Sequence, residues 1–217
     1  MAQDKSTATT PLKDIESHAP ESMHPALELA FKYRKLIALG IGAVLACAVI
    51  YAGATAYGNR ARTKAQAAMG TILLEKTGQE RIAALEGMLD SAPSSVRPAV
   101  LLELAQASMA AADYDKAAGY WDQIAGDTDD DLKLVARMGR AKCLTLAGKP
   151  AEAVTILKDL QGVVGDEFSI PVDRQLALAA EAAGDTALAL ETYRALAEKP
   201  ITDKPFIDYK IAQLESK

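Results

Sequence analysis

Charged side chains stop at Lys35 and do not return until Arg60, and the 22 residues from Leu36 to Tyr57 are almost all apolar or small. At about 1.5 Å per helical residue such a run reaches roughly 33 Å, enough for a hydrocarbon core of about 30 Å. A backbone in lipid must satisfy its own hydrogen bonds, so the pattern predicts one spanning helix. Tyr33 and Tyr57 stand at its edges, where amphipathic rings favour the headgroup region. Lys32, Arg34 and Lys35 close one flank and Arg60, Arg62 and Lys64 the other. Ala54-Thr55-Ala56 has the A-x-A form of a secretory cleavage site. However, the run exceeds the about 7–15 residues of a signal core and follows a long polar stretch. Val44 to Cys47 loosely matches a lipoprotein processing site, but the apolar run continues well past Cys47. A core helix of a soluble protein would carry a charged face at this length.

The pattern divides the chain into three parts. Residues 1–30 hold Ser6-Thr7-Ala8-Thr9-Thr10-Pro11, then Pro20 and Pro25, with few large apolar groups. Such a segment buries too little to offset its conformational entropy and is expected to be a disordered tail. A short helix from Ala26 to Tyr33, with Leu27 and Phe31, is expected to lead into the membrane, and residues 31–59 comprise the spanning helix and its flanks. Residues 60–217 form the soluble part.

In that part the pattern repeats. Ala112-Asp113-Tyr114-Asp115-Lys116-Ala117 matches Gly148-Lys149-Pro150-Ala151-Glu152-Ala153, and both match Gly184-Asp185-Thr186-Ala187-Leu188-Ala189. Ala117, Ala153 and Ala189 are 36 residues apart, each preceded at twelve residues by Ala105, Ala141 and Ala177. Four residues beyond each come Trp121, Leu157 and Tyr193, and seven beyond come Ile124, Leu160 and Leu196. A weaker earlier copy has Gly78 at the turn, Ala83 in the alanine slot and Thr71 in the small-residue slot. Each unit reads as helix, tight turn, helix: the turn falls at Ala112, Gly148 or Gly184, where Gly takes φ > 0 at little cost, and alanines let the two helices approach where they cross. Asp113, Pro150 and Asp185 suit the start of a second helix. One pair cannot bury its apolar face, so the pairs must stack into an all-α solenoid.

The turn-plus-alanine arrangement, with Tyr114 between them in the best copy, resembles the tetratricopeptide repeat. The period of 36 departs from the consensus of 34, and the aromatic at the start of the first helix is missing. Leu102-Glu103-Leu104-Ala105-Gln106, Asp129-Asp130-Asp131-Leu132-Lys133 and Arg140-Ala141-Lys142 sharpen the likeness. With one amino-terminal membrane helix and this total size, residues 30–215 look like the ancillary SecYEG translocon subunit family. That resemblance implies a bacterial inner-membrane protein with a cytoplasmic amino terminus and a periplasmic repeat domain. It also implies a non-enzymatic role in protein export beside the secretion channel, shared with a periplasmic chaperone. Charge alone does not orient the helix, with three Lys/Arg near one end and four near the other. The same repeats would equally serve another envelope machine, in outer-membrane or cell-wall assembly, or a regulator acting through its tail or membrane helix.

Charge and chemistry narrow the classes. Residues 1–35 are balanced, so the net charge of −5 lies entirely in residues 58–217. An acidic domain without a basic stripe argues against nucleic acid. Cys47 falls in the membrane run and Cys143 in the soluble part, so no disulfide is expected. His18 and His24 lie in the tail, with no Cys or His at metal-ligand spacing. Asp127, Asp129 and Asp131 alternate like a calcium loop, but Leu132 stands where that loop needs Gly and Met138 where it needs Glu. A helix start favoured by negative charge explains them better. No cofactor, metal, small-molecule substrate or catalytic residue is expected; the partners expected are proteins, with one helix in the bilayer.

Stacked hairpins offer an inner, concave face built from their first helices. Counting back from the alanines, that face comprises Leu102, Gln106 and Met109, then Met138, Lys142 and Thr145, then Arg174, Leu178 and Glu181. Each triplet shares one helical face by its i, i+4, i+7 spacing. Met suits adaptable recognition, and Lys142 and Arg174 would favour acidic ligands. Ordinary packing within the solenoid produces the same apolar spacing. On the spanning helix Ala38, Gly42, Ala46 and Gly53 form a small-residue stripe that permits close approach of another helix in lipid.

Overall fold

The computed structural model describes residues 32–128 and 130–216. The predicted tail, with His18 and His24, and Asp129 lie outside them. Nine helices occur among the described residues: α1 (Arg34–Glu75), α2 (Gly78–Leu89), α3 (Arg97–Ala110), α4 (Tyr114–Asp127), α5 (Asp130–Leu146), α6 (Pro150–Gln161), α7 (Asp166–Ala183), α8 (Thr186–Ala197) and α9 (Lys204–Glu215). The chain resolves into two units, one ending at Gly58 and the other covering 59–217.

In the first unit α1 carries Leu36 to Tyr57 as one uninterrupted helix. Among the described residues the apolar side chains from Leu36 to Tyr57 are exposed: Leu39 is 71 % exposed, Val44 69 % and Ile50 70 %. Thr55 turns its hydroxyl back to the Tyr51 carbonyl at 2.9 Å, as Thr63, Thr71, Thr145 and Thr155 do to the carbonyl four residues back in the rest of the chain.

In the second unit each helix packs on its neighbour in sequence from α2 to α9. The 36-residue register is visible in the burial. Ala105, Ala141, Ala177, Ala117, Ala153 and Ala189 are all fully buried, and Trp121, Leu157, Tyr193, Ile124, Leu160 and Leu196 fill the gaps beside them. The turns agree in detail: Ala112, Gly148 and Gly184 have φ of 58°, 77° and 77°. The next residue in each case donates its backbone N–H to the carbonyl five back, Asp113 to Ser108, Lys149 to Leu144 and Asp185 to Ala180. This Schellman closure satisfies the ends of the first helices. Asp113 and Asp185 then cap the second helices by accepting from the N–H of Lys116 and Leu188. Ala112 keeps the left-handed backbone despite its Cβ, at a cost of about 1–2 kcal/mol that glycine avoids in the other copies.

The earlier copy departs from the expected register. Gly78 does take φ of 53°, but it is itself the first residue of α2, whereas the other second helices start two residues after the turn. Buried positions shift accordingly to Ile82 and Leu85, and Ala83 and Thr71 are exposed. In place of a Schellman turn, Arg81 closes the end of α1 by donating to the Lys76 carbonyl at 2.8 Å and the Leu73 carbonyl at 3.0 Å. A cation at a helix carboxyl end also suits the dipole.

Polar bridges tie consecutive pairs. Asp173, 5 % exposed, accepts from Gln161 Nε2 at 2.7 Å and Lys199 Nζ at 2.6 Å, joining α6, α7 and the chain after α8. Glu86 on α2 takes Lys116 Nζ at 2.6 Å and the Tyr120 hydroxyl at 2.5 Å, both from α4. Hydrogen bonds from Lys116 and then Tyr120 hold the Glu86 carboxyl below its ordinary 4.5, and Arg174 holds Asp203 below 3.8. A carboxylate so depressed stabilises the fold above its ordinary value, and the contribution goes as pH falls through the folded pKa. The urea midpoint is therefore expected to be flat from about pH 7 to 5 and to drop below about 4.5. Glu86→Gln should lower the neutral midpoint and flatten the acid slope; an unchanged slope would remove Glu86 from this account.

Candidate functional site

The first helices do more than pair with their own partners: α5 and α7 also touch each other directly. Between them lies a cavity of about 290 Å³ lined by Lys142, Thr145 and Leu146 from α5 and Gln175 and Leu178 from α7. A second cavity, about 300 Å³, is lined by Trp121, Val135, Met138, Gly139, Phe168, Pro171 and Gln175. Gln175 lines both, and their linings follow each other along α5 and α7.

The walls of both cavities follow from helical spacing. Val135, Met138, Gly139, Lys142, Thr145 and Leu146 recur three or four apart on α5, and Phe168, Pro171, Gln175 and Leu178 do so on α7. Val135, Leu146 and Leu178 are 41 %, 48 % and 42 % exposed, high for side chains of their kind. Gly139 is present because nothing larger fits: a Cβ there would stand 2.6 Å from ring carbons of Trp121. The flat indole lies against bare backbone, and that contact sets the floor of the second cavity.

The nine expected residues of the inner face are distributed unevenly. Lys142, Thr145 and Leu178 come together in the first cavity, and Met138, only 9 % exposed, lines the second while serving mainly as packing. Leu102 and Met109 on α3 are half-buried against the core, and Gln106 is exposed. Arg174 and Glu181 face α9 instead. Arg174 makes a bidentate pair with Asp203, and Glu181 takes Lys210 Nζ at 2.8 and 2.9 Å and the Tyr193 hydroxyl at 3.1 Å. Their charges are already met, which leaves Lys142 as the exposed cation of the groove. Among the described residues it has no ion-pair partner.

The sequence pattern does not put Leu146, Gln175, Trp121 or Phe168 on the inner face; it gives Trp121 a packing slot in the repeat. Leu146 stands one turn beyond Lys142 and Gln175 one turn before Leu178, so the same spacing rule extended by a turn finds both. Gly139, a glycine inside a helix, is the available sign of the Trp121 contact. Cys143 is fully buried, and burial pushes its thiol up, against smaller opposing effects of Lys142 and Trp121. That is the signature of a packing thiol rather than a nucleophile. On α1, Ala38, Gly42, Ala46 and Gly53 are exposed, and a Cβ added at Gly42 or Gly53 would meet nothing within 4 Å.

No known protein family matches the chain, and no curated protein does. Two solved structures are similar to it at 20 % identity and a TM-score of 0.49: crystal structures, one of them of a point variant, of a Podosopora anserina protein described as a kinesin light chain with nearly identical TPR-like repeats. The matches cover 89 % and 90 % of this chain and 98 % and 100 % of the others. At that similarity the class rests on the chain's own geometry. It is an all-α helical-hairpin repeat protein of tetratricopeptide-like build, with one long apolar helix ahead of the repeats. Such repeats ordinarily present a surface for protein partners.

Proposed function

We propose that this chain is a membrane-tethered adaptor that binds proteins beside the secretion channel and assists protein export. The observation that carries it is the exposed apolar surface of α1 from Leu36 to Tyr57, joined in one chain to repeats with an open apolar groove. A surface of that length has no stable place in water but matches a hydrocarbon core. The tether holds the groove near membrane machinery and raises its effective concentration there. The channel, a periplasmic chaperone and exported chains are the partners that the family resemblance supports, with the amino terminus cytoplasmic and residues 58–217 periplasmic. The protein acts by binding, without catalysis or cofactor.

Copurification in mild detergent tests this reading. Channel subunits should be enriched with the full chain, and protease added to intact spheroplasts should digest the repeats. Enrichment of a different envelope complex without the channel, or complete protection of the repeats, would overturn it.

A further inference from the structure

Arg60, Arg62 and Lys64, the cations that follow the apolar run of α1, are exposed and, among the described residues, have no ion-pair partner. No Asp or Glu occurs between Glu28 and Glu75, so no acid stands near them in the chain. At about 100° of turn per helical residue, Arg60 and Lys64 share one face of α1 and Arg62 lies on the opposite side. Ala65, Met69, Ile72 and Leu73 pack against the core of the repeats, which turns the face with Arg60 and Lys64 outward. On that face Asn59, Arg60, Thr63, Lys64 and Ala67 line an open recess of about 440 Å³. Thr63 donates its hydroxyl to the Asn59 carbonyl at 2.9 Å, which holds its side chain close to the helix and keeps the recess free.

We propose that Arg60 and Lys64 form a seat for the phosphate of an anionic phospholipid headgroup, of the phosphatidylglycerol kind. This rests on the membrane-tether reading above and names the lipid that the tether meets. Depth agrees with it. Arg60 stands about 5 Å and Lys64 about 10 Å of helical rise beyond Tyr57, against a headgroup layer about 5–7 Å deep. Side chains on a helix lean toward its amino end, here toward the bilayer. The long stem of Lys64 therefore brings its ammonium back to the level of Arg60. Two cations four residues apart bracket one phosphate, and the Asn59 amide adds a donor. Charge selects the lipid. The acidic repeats are repelled by an anionic surface, and this pair supplies attraction at the point of contact. A zwitterionic headgroup carries its own cation and gains less from the same seat.

The test uses the full chain in phosphatidylcholine nanodiscs that carry a trace of photoreactive phosphatidylglycerol or of photoreactive phosphatidylcholine with the same acyl diazirine. Adducts are counted by mass spectrometry of the intact protein. Phosphatidylglycerol should give about three- to tenfold more adduct than phosphatidylcholine. Arg60→Gln and Lys64→Gln should each lower that ratio and together bring it to parity, whereas Arg62→Gln should leave it nearly unchanged. The helical circular-dichroism signal should stay intact in all of them, because the three side chains are exposed and unpaired. Excess glycerol phosphate in solution should leave the yields as they were. Parity in the unaltered chain would overturn the seat. A loss from Arg62→Gln equal to that from Arg60→Gln would do so too, since it marks general attraction between charges. Competition by free glycerol phosphate would make this a soluble-phosphate site and remove the lipid. A chain that does not copurify with nanodiscs loses tether and seat together; one that does, with a ratio at parity, loses the seat alone.

Discussion

Val44→Arg combined with Val49→Arg should release the protein from carbonate-washed membranes into the soluble fraction. Each arginine at the centre of a spanning helix costs about 3 kcal/mol on insertion scales, so the pair opposes insertion by roughly 6 kcal/mol. Val44 and Val49 are 69 % and 71 % exposed, so neither substitution removes a contact within the chain. The urea transition of the repeats should therefore stay where it was. Cell fractionation with immunoblotting reads the first effect and circular dichroism at neutral pH the second. Retention of the double variant in the membrane pellet would show that something other than α1 holds the protein there.

Ala153→Leu should cost about 1–3 kcal/mol of stability. Ala153 is fully buried near the start of α6, where the repeat register puts the crossing of α5 and α6, and its counterparts Ala117 and Ala189 are equally enclosed. A leucine there has to push the helices apart or force a neighbour out of its rotamer. Lys158→Ala, on the exposed side of the same helix, should change stability by less than about 0.5 kcal/mol. Equal urea midpoints for the two variants would mean that the alanine does not mark the crossing point.

The repeats are legible in the sequence because one physical demand recurs every 36 residues. Close helix crossing requires alanine, the turn requires a left-handed residue, and the next gap requires bulk. Three independent demands in three copies leave little room for another register. The first copy misleads for a reason of the same kind. Its turn glycine opens α2 directly, so the phase of the helix moves and Ile82 replaces Ala83 in the buried slot. A pattern of residue types does not show how many residues separate turn and helix.

The inner face is harder to read. Helical spacing puts Lys142, Thr145 and Leu178 on it, and these do meet around one cavity. Spacing along one helix is silent about what the next helix contributes, so it gives no warning that α9 pairs Arg174 with Asp203 and Glu181 with Lys210. Nor does it show that Trp121, from a second helix, reaches the groove over Gly139. Both depend on contacts between residues far apart in the chain, where a one-dimensional pattern carries least.

The most direct test of the adaptor account is photocrosslinking in intact membranes, with the reactive group placed in turn at Leu178 in the groove, at Lys158 on the exposed side of α6 and at Gly42 on the apolar helix. The account predicts adducts with a channel subunit, a periplasmic chaperone or an exported chain from Leu178, and none from Lys158. Adducts from Lys158 as abundant as those from Leu178, or adducts confined to Gly42, would contradict it.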